Sequence, residues 1–318
     1  MVESETFPAP AFRRRFFLAA AMAAIFLVQA ASMPVCPARA KTVVSGPLSI
    51  VAAENFYRDI AAQLAGPYAR VKSVQSDPNI DPHEFEPSVR DAMEVAGANL
   101  VIENGGGYDE WMKKLLSASP DPGRLVINAF DISPVKLPEN EHVWYSVEDM
   151  KVVAAALAKD LKTLRPQQAA WFEKNLQAFD KSLEEIEAKM RAVSKRFPGA
   201  PIALTEPIFQ YQSVPMGLKV LTPFAFQKAV AQGIDPPADA VLVARDQVKK
   251  KLVRALVYNQ QTADRFTEDL KELAKRSGVV VVGVTETMPP GKHYQSWMLE
   301  QIEALESALD AGAAGGAK

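Results

Sequence analysis

Residues 166–197 read PQQAAWFEKNLQAFDKSLEEIEAKMRAVSKRF, with no glycine and no proline after the first position. Trp171, Leu176, Phe179, Leu183, Ile186, Met190, Val193 and Phe197 recur every three to five residues, the spacing of a stripe along one side of a helix. Pro166 suits the first helical position and Pro198-Gly199 stops the run. At 1.5 Å per residue the stretch forms a rod roughly 45 Å long, more than the width of one small domain. A strict heptad is not kept, which argues for a rigid spine across two lobes rather than a coiled-coil arm.

On both sides of this spine short apolar runs alternate with amphipathic stretches. Before it, strands are expected at Leu48–Ala53, Val71–Val74, Asn99–Glu103 and Leu125–Asn128. After it, they are expected at Ile202–Leu204, Val220–Leu221, Leu256–Tyr258 and Val279–Val284. Helices are expected through Phe56 and Leu64, after Ser88, from Asp109 through Leu115, after Ser146, over Asp239–Lys251 and Thr262–Arg276, and from Tyr294 to about Leu309. Apolar runs of four to six residues separated by helices indicate parallel sheets covered on both faces. The expected fold is therefore α/β, with two lobes, each a mostly parallel sheet flanked by helices, joined by one long rigid helix. The expected divisions are a signal peptide over 1–40, an N-terminal lobe over 41–165, the linking helix over 166–197 and a C-terminal lobe over 198–318.

The N-terminus reads as an export signal. Arg13-Arg14-Arg15 precedes an apolar stretch from Phe16 to Ala31, and Ala38-Arg39-Ala40 offers a small-x-small cleavage pattern. The triple arginine bears a weak likeness to twin-arginine export signals. Cys36 is the only cysteine, and Met33-Pro34-Val35 before it lacks the small residue that lipoprotein processing needs. Cleavage after Ala40 removes it, leaving no thiol for a disulfide, a thiolate metal site or a nucleophile. The remainder, 48% hydrophobic and 23% charged over the whole chain, is of ordinary globular composition. It carries no basic stripe, which argues against nucleic acid as a partner.

Four segments place metal-ligand side chains at the ends of strands or in loops beside them. Asp81-Pro82-His83-Glu84-Phe85-Glu86 and Glu141-His142-Val143-Trp144-Tyr145 hold two of the chain's three histidines. Thr205-Glu206-Pro207 and Thr285-Glu286-Thr287 follow strands, where open parallel sheets bind their ligands. Two imidazoles and two carboxylates form a ligand set for one divalent transition metal. His293, in a Pro-Pro-Gly loop, is expected to be exposed or to cap the following helix rather than to ligate. Asn259 and Gln227 are candidate donors for orienting the carboxylates. Gly105-Gly106-Gly107 lacks the lysine and spacing of a phosphate loop and reads as a tight turn after a strand.

These segments resemble the periplasmic metal-binding receptors of ABC importers for zinc, manganese or iron, the TroA-like class. Asp-Pro-His83-Glu-Phe-Glu-Pro-Ser is similar to the first ligand motif of that class and Glu-His142-Val-Trp-Tyr to the second. In the second motif asparagine-proline often precedes the histidine, and Asn140-Glu141 stands here instead. Glu206 falls where the class carries histidine or glutamate, and Glu286 where it usually carries aspartate. The resemblance spans nearly all of residues 41–309. It implies metal ligation by His83, His142, Glu206 and Glu286 in an interlobe cleft, and delivery of the ion to an ABC permease in the inner membrane.

The expected cargo is one divalent ion, Zn2+ or Mn2+. Zinc stands slightly ahead of manganese and iron, because four protein ligands suffice for it. The protein is expected to be periplasmic, monomeric and not an enzyme, with a metallochaperone as a conceivable second partner. The alternatives are an exported metal-dependent hydrolase, with Glu84 or Glu86 as its base, and a metal-binding surface adhesin of the same fold. The hydrolase lacks an HExxH motif and a second metal cluster.

Overall fold

The computed structural model of the protein describes residues 46–315 apart from 79 and 263. The expected signal peptide, its cleavage site and Cys36 lie outside the described residues.

Four strands, β1 (Leu48–Glu54), β2 (Ala69–Gln75), β3 (Leu100–Glu103) and β4 (Leu125–Asn128), form one sheet in the order β2-β1-β3-β4. Four more, β5 (Pro201–Leu204), β6 (Lys219–Val220), β7 (Ala255–Asn259) and β8 (Val280–Val284), form a second in the order β6-β5-β7-β8. Every pairing is parallel. Both sheets change winding direction beside their first strand, and in such folds the crevice beyond the carboxyl ends at that point receives the ligand.

The helices before the spine are α1 (Asn55–Ala65), α2 (Val89–Ala96), α3 (Glu110–Ala118), the single turn α4 (Ala129–Ile132) and α5 (Val147–Leu164). The spine itself is α6 (Ala169–Arg196), entered through a 3-10 turn at Pro166–Gln168. After it come the short α7 (Gln210–Ser213), α8 (Phe224–Ala231), α9 (Ala238–Lys249), α10 (Arg265–Ser277) and α11 (Tyr294–Gly315). No helix among the described residues is long and apolar enough to cross a membrane.

Local chemistry fixes several helix starts. Ser88 and Asp91 form a reciprocal capping box on α2, and Asp264 and Thr267 form another on α10. Ser146 caps α5 by accepting from Asp149 N–H. The Asp149 carboxylate turns instead to Val135 N–H at 3.0 Å, tying the preceding loop down. α11 runs past Leu309 into the Ala/Gly stretch, beyond the expected end. Gly312 permits this, because a Cβ there would sit 2.7 Å from the Arg254 carbonyl oxygen.

The pleat sorts alternate residues of each strand into separate cores. Ile50, Ala52, Leu100 and Ile102 face inward with Ile202, Leu204, Ala255 and Val257 of the second sheet, in one continuous buried cluster. Phe172, Phe179, Leu183, Ile186, Met190 and Val193 of α6 and Trp297, Ile302 and Leu305 of α11 belong to the same cluster. Val51, Ala53 and Val101 face outward onto Trp111 and Met112, and Ala203 and Leu256 face outward onto α8, α9 and α10. The two lobes thus share an inner core while each keeps an outer one. The stripe on α6 differs from expectation at its start: Phe172 is buried, and Trp171 remains 41% exposed with its ring edge-on to Tyr68.

Polar contacts reinforce the junction between lobes. Asn55 Nδ2 donates to the Met288 carbonyl at 2.7 Å, and Met288 N–H returns a bond to Asn55 Oδ1 at 2.9 Å. Tyr145 Oη donates to the Thr285 carbonyl at 2.7 Å and Tyr294 Oη to that of Trp144 at 2.7 Å. Because α6 contributes to a core common to both sheets, Leu183→Ala is expected to cost about 2–5 kcal/mol. Urea unfolding followed by tryptophan fluorescence and circular dichroism should keep coincident transitions; separated ones would show lobes that unfold independently.

Candidate metal centre

The site is built from the carboxyl ends of the second sheet and three loops of the first lobe. Glu206 stands just past β5, Asn259 ends β7, and Glu286 stands just past β8. Since β7 lies between β5 and β8, its terminal amide falls between the two acids. Asn259 Nδ2 donates to Glu206 Oε2 at 3.0 Å and to Glu286 Oε1 at 2.7 Å. The turn carrying Glu286 is held by Gln261, whose Oε1 accepts from the N–H groups of Glu286 and Thr287 at 2.7 and 2.9 Å.

From the first lobe, Tyr108 Oη donates to Glu286 Oε2 at 2.9 Å. The Gly105-Gly106-Gly107 turn puts Tyr108 there, with φ of 76°, 65° and 97° at its three glycines. A Cβ on Gly105 would lie 2.3 Å from the Asn128 side chain and one on Gly106 2.7 Å from the Phe130 ring. Asp109 was expected only to open α3. Its carboxylate instead accepts from Asn104 N–H at 2.7 Å and Gly105 N–H at 2.8 Å, bracing the turn from below.

His83 sits on a 3-10 turn at Pro82–Glu84, where Asp81 Oδ1 accepts from His83 N–H at 2.9 Å. Its Nε2 lies 3.7 Å from Glu286 Oε2 and 3.9 Å from Glu141 Oε1. His142 is fully buried, its ring centre 6.2 Å from that of His83 and 5.1 Å from that of Trp144. His142 Nδ1 meets Asn140 Oδ1 at 2.8 Å. An amide oxygen can only accept, so Nδ1 carries the proton and Nε2 keeps its lone pair. Asn140 is itself fixed, donating to the Pro207 carbonyl beside Glu206 at 2.9 Å.

His83 thus stands beside Glu286 and near His142, and Asn259 links Glu286 to Glu206. Three of their polar atoms, His83 Nε2, His142 Nε2 and Glu206 Oε1, are buried and have no hydrogen-bond partner within the protein. Orphaned lone pairs of this kind are expensive unless they meet something electrophilic. Burial raises the pKa of Glu206 to about 8, with the Glu286 charge adding to the effect. Glu286 is raised to about 8 by burial, with Asp81 and Glu141 adding to it. Burial, and then the neighbouring His83, holds His142 well below the ordinary histidine range, in the neutral form that can bind a metal. A divalent cation placed here would favour ionised carboxylates and neutral imidazoles together.

Two side groups fall elsewhere. Gln227 turns away, donating to the Thr222 carbonyl at 2.8 Å and accepting from Gln210 at 3.0 Å, so it orients a loop rather than the carboxylates. His293 pairs through Nδ1 with Asp59 Oδ1 at 2.8 Å, with its side chain 72% exposed at the start of α11. Tyr108 and Asn140 are participants the sequence reading missed. The Asn-x-His spacing at 140–142 was a usable signal for Asn140, whereas nothing local marks Tyr108 as a partner of a residue 178 positions away.

The model of a family described as ZnuA, zinc-uptake complex component A, periplasmic, matches residues 50–308. The chain belongs to that family. Among curated relatives of this ZnuA-family chain, the iron-binding protein YfeA of Yersinia pestis is 24% identical over 74% of the chain and 76% of its own length. The manganese ABC transporter substrate-binding lipoprotein PsaA of Streptococcus pneumoniae is 22% identical over 84% and 90%. The periplasmic zinc-binding protein TroA of Treponema pallidum shares the fold, with a TM-score of 0.71 at 20% identity over 83% of this chain and 99% of its own. So does the substrate-binding protein FpvC of Pseudomonas aeruginosa in complex with Mn2+, with a TM-score of 0.69 at 20% identity over 83% and 98%. The ZnuA family thus groups substrate-binding components of metal ABC transporters, and its relatives here are named for iron, manganese and zinc.

The raised carboxyl groups set the pH response of the metal-free protein. Between the ordinary carboxylate range and about 8, the folded state holds protons on Glu206 and Glu286 that the unfolded chain has released. Stability from these two groups is therefore complete at low pH, falls as pH rises across that window and levels off above it. Asn259→Ala removes a donor that favours both ionised forms, and should move both titrations further up. Carbon-13 NMR of labelled glutamate carboxyls would check this; unchanged titrations would mean the amide bridge is not formed in solution.

Proposed function

We propose that this protein captures one divalent transition-metal ion in the cleft between its two lobes and delivers it to an ABC permease. His83, His142, Glu206 and Glu286 are its ligands. The observation that supports this reading is a set of unpartnered buried atoms from three separate segments, His83 Nε2, His142 Nε2 and Glu206 Oε1, with His83 Nε2 3.7 Å from Glu286 Oε2. Two neutral imidazoles and two ionised carboxylates cancel a charge of two, so the loaded site is neutral.

Zinc is the favoured cargo, because four protein ligands complete its preferred tetrahedron. Manganese or ferrous iron would call on both oxygens of a carboxylate to reach a higher coordination number. The chain works, in this reading, as an extracytoplasmic protein exported by the segment 1–40, with its lobes at 41–165 and 198–318 joined by the helix within 166–197. Binding rather than catalysis fits the chemistry. Glu286 is engaged by Tyr108 and Asn259, and Glu86, a base the hydrolase alternative would use, is exposed.

Metal analysis of protein purified without chelator, followed by competition with a chromophoric chelator, should find about one ion per chain. His142→Ala or Glu206→Ala should weaken binding by more than the roughly 10–100-fold that loss of a supporting hydrogen bond costs. An unchanged affinity in both variants would sink the ligand set. Because the acids are raised and must ionise, binding near pH 7 should release roughly one to two protons per ion. Calorimetry in buffers of different ionisation enthalpy reads that number, and affinity should rise with pH until about 8.

A further inference from the structure

Glu141 stands at the edge of the centre without belonging to the inner four, in the position directly before His142. The ligand atoms of His83, Glu141 and His142 all lie within 4.8 Å of one another, and those of Asp81, His83 and Glu286 form a second such group. His83 is common to both. Its Nε2 is 3.9 Å from Glu141 Oε1 on one side and 3.7 Å from Glu286 Oε2 on the other. The outer group includes the fully buried His142, whose Nε2 has no partner.

The two carboxylates differ in their access to solvent. The Glu141 side chain is 21% exposed and that of Glu286 is 0% exposed. Glu141 lines a cavity of about 610 Å3 together with Asp81, His83, Gly106, Gln232 and Ile234. Gly106, Gln232 and Ile234 are exposed, so this cavity joins His83 to the surface. Lys228, the nearby cation on α8, is engaged by Glu139 at 2.6 Å.

We infer that Glu141 is a transfer ligand: an arriving ion is first held by Glu141 with the two imidazoles, then exchanges Glu141 for Glu286 and Glu206 without losing either histidine. This rests on the four-ligand reading above and adds the route by which that site fills and empties. A divalent ion cannot be stripped of its hydration at once, because a bare charge in an enclosed site costs far more than thermal energy. Replacing ligands one at a time avoids that cost, and shared imidazoles give the exchange a fixed pivot. Glu141 suits a passing role, since a third permanent carboxylate would leave the loaded centre with a net negative charge. In the exchange the metal–oxygen bonds to Glu141 and to one bound water are replaced by bonds to Glu286 and Glu206, each buried acid gives up its proton to solvent as it binds, and no electron changes hands.

The test is stopped-flow mixing of the metal-free protein with zinc, read by fluorescence of Trp144 against His142, with dissociation followed by chelator capture. Glu141→Gln should slow association and dissociation together, each by roughly tenfold, as expected when a barrier common to both directions is raised. Glu141→Asp, which keeps the charge on a shorter arm, should fall between. Faster dissociation with unchanged association would make Glu141 a permanent ligand and overturn the inference. Unchanged rates would overturn it as well, as would slowed association that disappears in high salt, which is charge attraction alone. If the unmodified protein binds no zinc or manganese, both this inference and the four-ligand reading fall. If His142→Ala abolishes binding while Glu141→Gln changes neither rate, only this one does.

Discussion

Two glutamates, Glu206 and Glu286, are fully buried and share one amide donor, Asn259. Placing two carboxylates together away from water is among the more costly arrangements a fold can adopt. Everything around them reads as a response to that cost. The strand order β5-β7-β8 sets an asparagine between them, Tyr108 reaches over from the other lobe, and Gln261 secures the turn. One oxygen of Glu206 and a nitrogen from each of two histidines remain buried without a hydrogen-bond partner.

The first lobe contributes the groups that must be neutral to work. His142 gains its proton pattern from Asn140, and Asn140 is anchored to the Pro207 carbonyl next to Glu206. The same loop therefore orients a histidine of one lobe and ties it to the strand end that carries a glutamate of the other. The chain belongs to the ZnuA family, and relatives of it are named for zinc, manganese and iron.

Much of the architecture was legible because it is written in periodicity. The α6 stripe and the short valine- and leucine-rich strands announce themselves within a few residues, and the structure's two parallel sheets follow from them. The places where the reading slipped are informative. Trp171 and Phe172 are adjacent aromatics, and only packing against the lobe decides which turns inward. Gln227 and Asn259 look alike in sequence, each an amide after an apolar run. β7 ends at the acids, whereas Gln227 lies inside α8. Tyr108 was invisible because its partner is far away in the chain, and Asp109 because an acid before a helix is usually satisfied by capping it. Contacts between lobes are the part of such a site that local pattern cannot carry.

The short span from Thr285 to Met288 has a mechanical meaning beyond its chemistry. Within four residues the first lobe grips it three times, through Tyr145 at Thr285, Tyr108 at Glu286 and Asn55 at Met288. A span moored so closely cannot slide relative to the first lobe without carrying a carboxylate with it. Any displacement of one lobe against the other is therefore felt at Glu286 as a change in bond length or angle. Glu286 is in that sense a strain gauge for the junction between the lobes.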